Sequence, residues 1–472
     1  TELSSFPPSK VLNGVSVCTS KDMPALQLLP YALFLTALLA SSAAGHAAAS
    51  LRAHLTHVDS GRGFTKHQLL RRMAARSLAR IDSRCPAPGR GANAHPVTAP
   101  VSRGTVGIEN MQSEYLVHFG IGTPRPQRVA LTLDTGSDFV WTQCFCQVCF
   151  PQPFPAINIS ASGTIHGVSC SDPVCSQGGL ALSGCTARDN ICFYTYFYGD
   201  NSITTGQIVE DTFTFQQAPN DGKVAAVPKL RFGCGMFNTG LFGSNESGIA
   251  GFGRGPLSLP SQLKVGGFSY CFTNIVESRT SPVFLGTPDD LQAQATGPIQ
   301  STPFARGPDS TKYYLSLKGI TVGKTRLPFN ASTFAFKGDG SGGTMIDSGL
   351  SITKFPRAVF LSIVEEFKAQ VPLPSDMVAG MLCFSAPHKK KAPAMPKMTL
   401  HLEDADWDLP RENYVLDLDG GDGDDDGTCV VIHAAGESGM TGIGNFQQQN
   451  THVVYDLESN KLVFVPARCD KL

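Results

Sequence analysis

Two short triplets in opposite halves of the chain constrain it most. Asp134-Thr135-Gly136-Ser137 follows the apolar run 129–133, and Asp347-Ser348-Gly349-Leu350 follows Thr344-Met345-Ile346. An aspartate that ends a β-rich run and precedes a hydroxyl residue and a glycine points out of a tight turn, with its backbone open to hydrogen bonds. One such triplet is an ordinary turn; two in matching surroundings imply a repeated unit. Tyr115-Leu116-Val117 leads through Gly120-Ile121-Gly122 to Asp134, and Tyr314-Leu315-Ser316 leads through Gly319-Ile320-Thr321-Val322-Gly323 to Asp347. Each half then carries a later apolar-glycine element, Ile249-Ala250-Gly251-Phe252-Gly253 in the first and Gly442-Ile443-Gly444-Asn445 in the second. The expected body is two similar β lobes, 109–300 and 301–472, each offering one carboxylate to a shared cleft.

Other short β-rich runs broken by Gly and Pro, at 115–119, 212–215, 313–317 and 452–455, keep the body mostly β. Helix signals are few. Pro356 opens 357–369, where Val359, Phe360, Ile363, Val364 and Phe367 recur at helical spacing, and 258–263 adds one turn.

The 472 residues exceed one ordinary core, so two or more packed units are expected. The formal charge of −1 excludes a whole-protein nucleic-acid binder working by phosphate neutralisation. Residues 1–103 carry 12 basic and 4 acidic side chains, a net +8, while 104–472 carry 26 and 35, a net −9. A basic front therefore precedes an acidic body. Within that front, the apolar run 26–40 and the small residues after it read as a secretory signal at 23–49, with Met23 the expected start and 1–22 an upstream, non-native extension. The run is shorter than the roughly 20 apolar residues a spanning helix needs, so no stable membrane insertion is expected.

Residues 50–108 read as a basic propeptide and linker. Leu69, Leu70, Met73, Leu78 and Ile81 form one face of a basic amphipathic helix; the alternative is an exposed, partly disordered leader. The helical reading adds electrostatic docking on the acidic body, weakened when acid protonates carboxylates. Without Cys18 and Cys85, twelve cysteines remain, seven of them crowded into 144–192. Cys144-x-Cys146-x-x-Cys149 permits a zinc knuckle, but His166 is the nearby imidazole and export favours oxidation, so six disulfides and no metal are expected. Sequons at Asn158, Asn245 and Asn330 fit a secreted glycoprotein.

The stretches Asp134-Thr-Gly-Ser-Asp-Phe-Val-Trp141, Tyr198-Gly-Asp-Asn-Ser-Ile-Thr-Thr-Gly206, Phe232-Gly-Cys-Gly235, Gly251-Phe-Gly-Arg-Gly-Pro-Leu-Ser258, Phe268-Ser-Tyr-Cys271 and Gly444-Asn-Phe-Gln-Gln-Gln-Asn450 resemble the pepsin-like aspartic proteases. The resemblance is to the plant nepenthesin-like branch with its cysteine-rich insert, and it covers nearly the whole chain. It implies an all-β, bilobal acid-protease fold, with pseudo-twofold-related lobes, a central cleft and a few short helices. It implies a catalytic dyad of Asp134 and Asp347 that shares one proton and activates a water, with no cofactor. The pepsin dyad is a stock example of this chemistry.

By the same resemblance Thr135 and Ser348 hydrogen-bond across the pseudo-twofold axis, Gly136 and Gly349 bring amides to the carboxylates, and Ser137 supports the first loop. Tyr198 matches the flap tyrosine and Trp141 its partner, although either aromatic reads equally well as core. Cys383 with Cys429 matches the second-lobe disulfide, Cys271 with Cys469 is assigned as a tie between lobes, and the other eight cysteines leave their pairing open. Three residues depart from the family pattern. Leu350 replaces a Thr or Ser whose hydroxyl would bond the Asp347 carboxylate, with Ser351 and Thr353 as candidate substitutes. Asn201 replaces a flap glycine, and Gly442 replaces an apolar residue under the second loop.

The leading expectation is a monomeric acid endopeptidase made as a zymogen, with polypeptides and its own propeptide as partners, in the extracellular space (apoplast) or vacuole. The alternative is a catalytically weak or inactive inhibitor-like binding protein of the same fold. Lys389-Lys390-Lys391 is too short for nucleic acid, and the acidic stretch 417–427 lacks the closing glutamate of a calcium loop and reads as a solvated loop.

Overall fold

The computed structural model describes residues 51–79, 115–177, 182–185, 190–216, 224–242, 245–276, 280–286, 291–385, 392–418, 427–436 and 439–472. The expected upstream extension, the signal, Cys18, Cys85, Ile81 and the Lys389–391 run lie outside those residues, as does most of the acidic stretch. The structure contains a compact unit running from Ala48 to Leu472.

One long sheet organises that unit. Within it Gly267–Cys271 pairs antiparallel with both Thr451–Asp456 and Ser281–Leu285. Ser281–Leu285 pairs in turn with Leu51–His57, and that strand pairs with Tyr115–Ile121. The sheet continues through Gln127–Asp134, Gly248–Gly251 and Trp141–Val148 to the long strands Val224–Thr239 and Ile203–Gln216. At the other end Lys461–Pro466 and Gln300–Pro303 close it. The C-terminal strands thus return to pair with strands of the first half, so the sheet runs across the expected lobe boundary at 300/301.

The second half builds three smaller sheets, one of which repeats the first half's strand arrangement around its aspartate. Gln127–Asp134 lies parallel to Gly248–Gly251 with Leu133 opposite Ala250. Thr344–Ile346 lies parallel to Thr441–Ile443 with Ile346 opposite Ile443. In each case a short apolar-glycine strand, buried on both faces, holds the strand that ends in the aspartate.

Leu51–His57 alternates, burying Ala53, Leu55 and His57 as a half-buried strand should. Lys66–Ala79 is a helix that buries Leu69, Leu70, Met73 and Ala74. Its polar anchor is internal to the leader: buried Asp59 accepts from Arg72 Nε at 2.8 Å and Arg76 Nη1 at 3.0 Å. Packing and a local ion-pair cluster hold this segment, and Lys66 adds a charge attraction to Asp417 of the second half. The other helices follow the sequence signals. Arg357–Gln370 begins after Pro356 and buries Val359, Phe360, Ile363, Val364 and Phe367, and Leu259–Leu263 is capped by Ser258.

Candidate active site

Each aspartate sits where a buried strand breaks into a glycine turn, and each turn feeds its own carboxylate. Gly136 N donates to Asp134 Oδ1 at 3.0 Å, and Gly349 N donates to Asp347 Oδ1 at 2.8 Å. The loops are then locked reciprocally. Thr135 N donates to Ser348 Oγ at 3.0 Å, Ser348 N donates to Thr135 Oγ1 at 2.9 Å, and Ser348 Oγ donates to the Leu133 carbonyl at 3.0 Å. Thr135 and Ser348 are fully buried, so breaking one of these bonds leaves an orphaned polar group away from water. The lock brings the carboxylates together across Gly136: a Cβ placed on that glycine would lie 2.5 Å from Asp347 Oδ2. A side chain at 136 would force the dyad apart.

Both aspartates line one cleft of about 360 Å³, with Tyr198, Tyr196, Leu350, Asp309, Lys312 and Lys354 among its walls. Tyr198 lies in the hairpin between Cys192–Phe197 and Ile203–Gln216, and its hydroxyl accepts from Trp141 Nε1 at 2.7 Å. Trp141 is fully buried, so it anchors the flap from below while Tyr198 reaches the cleft. Burial, with Tyr196 and Asp134 adding to it, pushes the Tyr198 phenol well above its ordinary range, so it remains an uncharged donor at acid and neutral pH. Asn201 turns the flap at φ 63°, a left-handed conformation that Asn tolerates better than other non-glycine residues.

The two carboxylates differ in their third support. Ser137 Oγ donates to Asp134 Oδ2 at 2.6 Å, whereas the corresponding position after Asp347 is Leu350, which has no hydroxyl. Thr353 Oγ1 accepts from Gly444 N at 2.9 Å, which ties the second loop to the strand end beneath it. Leu350 has a steric explanation: a Cβ on Gly442 would lie 2.7 Å from Leu350 Cδ2. The two departures that look independent in the sequence are one contact, with leucine occupying the room that glycine leaves.

Six disulfides use all twelve cysteines of the body: 144–234, 146–149, 170–185, 175–192, 271–469 and 383–429. Among the described residues no group of three His, Cys, Asp or Glu is arranged to hold a metal ion. Asn158 and Asn330 are exposed caps of short helices, whereas Asn245 Nδ2 donates to the Val58 carbonyl of the leader. Asp417, first of the acidic stretch, is held by both terminal nitrogens of Arg411 and by Thr428. Sequence reasoning missed Lys312. A lone lysine before two tyrosines carries no signal, and only the fold brings its ammonium to the Gly136 carbonyl.

Two family models match the two halves: Xylanase inhibitor N-terminal over residues 115–287 and Xylanase inhibitor C-terminal over 312–466. Aspartic proteinase nepenthesin-1 from Nepenthes gracilis is 37% identical, covering 88% of this chain and 89% of its own length. The chain belongs to the plant nepenthesin-like branch of the pepsin-like aspartic proteases. Within that branch, nepenthesin-2 of the same plant is 35% identical over 89% of this chain and 90% of its own length. Aspartyl protease family protein 2 of Arabidopsis thaliana is 32% identical over 89% and 85%. Among solved structures, edgp superposes with a TM-score of 0.62 at 21% identity, covering 75% of this chain and 94% of that one. Basic 7S globulin from soybean gives 0.59 at 20% over 75% and 93%. These two show the fold alone, an all-β pepsin-like architecture.

Proposed function

We propose that this nepenthesin-like protein is an aspartic-type endopeptidase that hydrolyses polypeptides at acidic pH through Asp134 and Asp347. The observation that carries the reading is the reciprocal Thr135–Ser348 lock, which holds two carboxylates from separate halves on either side of Gly136. We assign Asp134, which accepts from both Gly136 and Ser137, the role of base, and Asp347 the shared proton. A water attacks the peptide carbonyl carbon and gives a proton to Asp134 as Asp347 donates its proton to the carbonyl oxygen. The resulting gem-diol collapses: one hydroxyl proton returns to Asp347, the Asp134 proton passes to the amine, and the C–N bond breaks.

The reading extends to a secreted or vacuolar monomeric precursor with a signal at 23–49, glycans on exposed sequons and a propeptide at 50–108. It is supported by six disulfides, which suit an oxidising compartment. Among the described residues no helix is long and apolar enough to cross a membrane. An inhibitor-like protein without turnover is favoured by Leu350 beside Asp347 and by the descriptions of the two family models.

The test is to incubate the acid-treated precursor with a denatured protein near pH 3 to 4, with and without pepstatin. Cleavage by the parent that pepstatin blocks and Asp134→Asn abolishes is expected. No cleavage by the parent, with activity appearing in Leu350→Thr, overturns the reading in favour of the binding protein.

A further inference from the structure

We propose that Lys312 biases the cleft toward peptides with a carboxylate side chain next to the scissile bond, and against peptides with Lys or Arg there. This rests on the endopeptidase reading above and names its substrate class.

Lys312 lies just before Tyr313 in the second half, yet its ammonium donates across the cleft to the carbonyl of Gly136. Gly136 is the residue whose amide feeds Asp134 and whose Cα abuts Asp347, so a fixed positive charge stands one residue from the dyad. The Lys312 side chain is 22% exposed and shares the cleft wall with both aspartates, where a bound peptide must pass. An ammonium carries three donors, and a carbonyl uses one.

Its charged surroundings are mixed. Asp309 Oδ2 stands 4.0 Å from the ammonium, but that carboxylate is 48% exposed and solvent screens it. Asp138 is tied to the Gly255 amide at 2.7 Å, and burial pushes its carboxyl up while that bond and Lys312 oppose the shift. Tyr196, on the same wall, is kept neutral by burial. The dyad supplies one shared negative charge, already served by Gly136, Gly349 and Ser137. With Asp309 screened and Asp138 tied to Gly255, Lys312 is left as a cation beside Gly136 with donors to spare for a substrate carboxylate.

That bias acts on the charged form of the substrate. A glutamate side chain ionises near about pH 4.3, so a Glu-over-Lys preference of about tenfold at pH 5 shrinks at pH 3, where the substrate carboxyl is protonated. Lysine keeps its charge throughout.

The experiment uses the acid-activated full chain with matched peptides carrying Glu, Gln or Lys at either residue flanking the scissile bond. kcat/KM is measured at pH 3 and pH 5 for the parent, Lys312→Met and Lys312→Arg. The expected result is a Glu preference that grows from pH 3 to pH 5, falls at least fivefold in Lys312→Met and is kept in Lys312→Arg, consistent with point-charge recognition. Calorimetric binding of the same peptides to the Asp134→Asn chain reads the preference without turnover. Equal Glu and Lys binding there, or an unchanged ratio in Lys312→Met, overturns the role of Lys312. Failure of the parent to cut any peptide sinks the endopeptidase reading, while the binding arm still decides this one.

Discussion

Leu350 is almost fully buried and fills the volume beside Gly442, where an added Cβ would also come within 3.3 Å of Lys354 Cε. Overpacking a full site costs about 1–3 kcal/mol, so Gly442→Ala is expected to destabilise by that amount. In a Leu350→Thr background the penalty is expected to shrink by about 1 kcal/mol or more, because the smaller side chain vacates the space. Urea midpoints of the four proteins of the cycle check this; strict additivity refutes the contact. At this scale the sequence was legible where the chemistry is local. The Asp-Thr/Ser-Gly turns were read from their repeated context, and Tyr198 and Trp141 from the family resemblance. Lys312 and the Leu350–Gly442 contact were not legible, because each depends on residues more than ninety positions apart meeting in space.

Among the elements, helix 66–79 is tied to the turn after strand 51–57 through one carboxylate, Asp59. Burial pushes Asp59 up, but the charges of Arg76, His57 and Arg72, with the hydrogen bond from Arg76, outweigh it and hold the carboxyl below its ordinary value. A depressed carboxyl stabilises fully above its unfolded value of about 3.9 and loses that contribution as pH falls through the folded value. Hydrogen-exchange protection of 51–79 is therefore expected to be flat from pH 7 to 5 and to fall below about pH 4. Asp59→Asn removes the buried charge that faces Arg72 and Arg76 and is expected to cost about 3–5 kcal/mol at pH 7. Equal protection in parent and variant defeats this account. The helix was readable from Leu69, Leu70 and Met73. The strand 51–57 was not, although Ala53, Leu55 and His57 alternate, because its partners Tyr115–His57 and Leu51–Leu285 register across distant sequence.

Over the whole molecule, internal repetition foretold two β halves, and the long sheet joins them more closely than a boundary at 300 implies. The Cys271–Cys469 bridge ties the chain's end to that sheet across a sequence separation of 198, and both cysteines are fully buried. Replacing both with Ala is expected to cost about 2–5 kcal/mol, seen as a lower urea midpoint under non-reducing conditions. An unchanged midpoint contradicts the tie. The pairing of the insert cysteines was illegible because strand register, which sequence spacing does not reveal, selects the partners, as where Cys185 faces Cys192 yet bonds Cys170.

Strand Leu51–His57 is bonded on both sides, to Ser281–Leu285 and to Tyr115–Ile121. Proteolytic trimming of the leader would bare two facing edges about 10 Å apart, twice the ordinary strand spacing. Such a slit accepts any extended backbone of suitable alternation. Such trimming would set up a contest over who refills the gap, the trimmed chain's own new end or a neighbouring molecule on its way to aggregation.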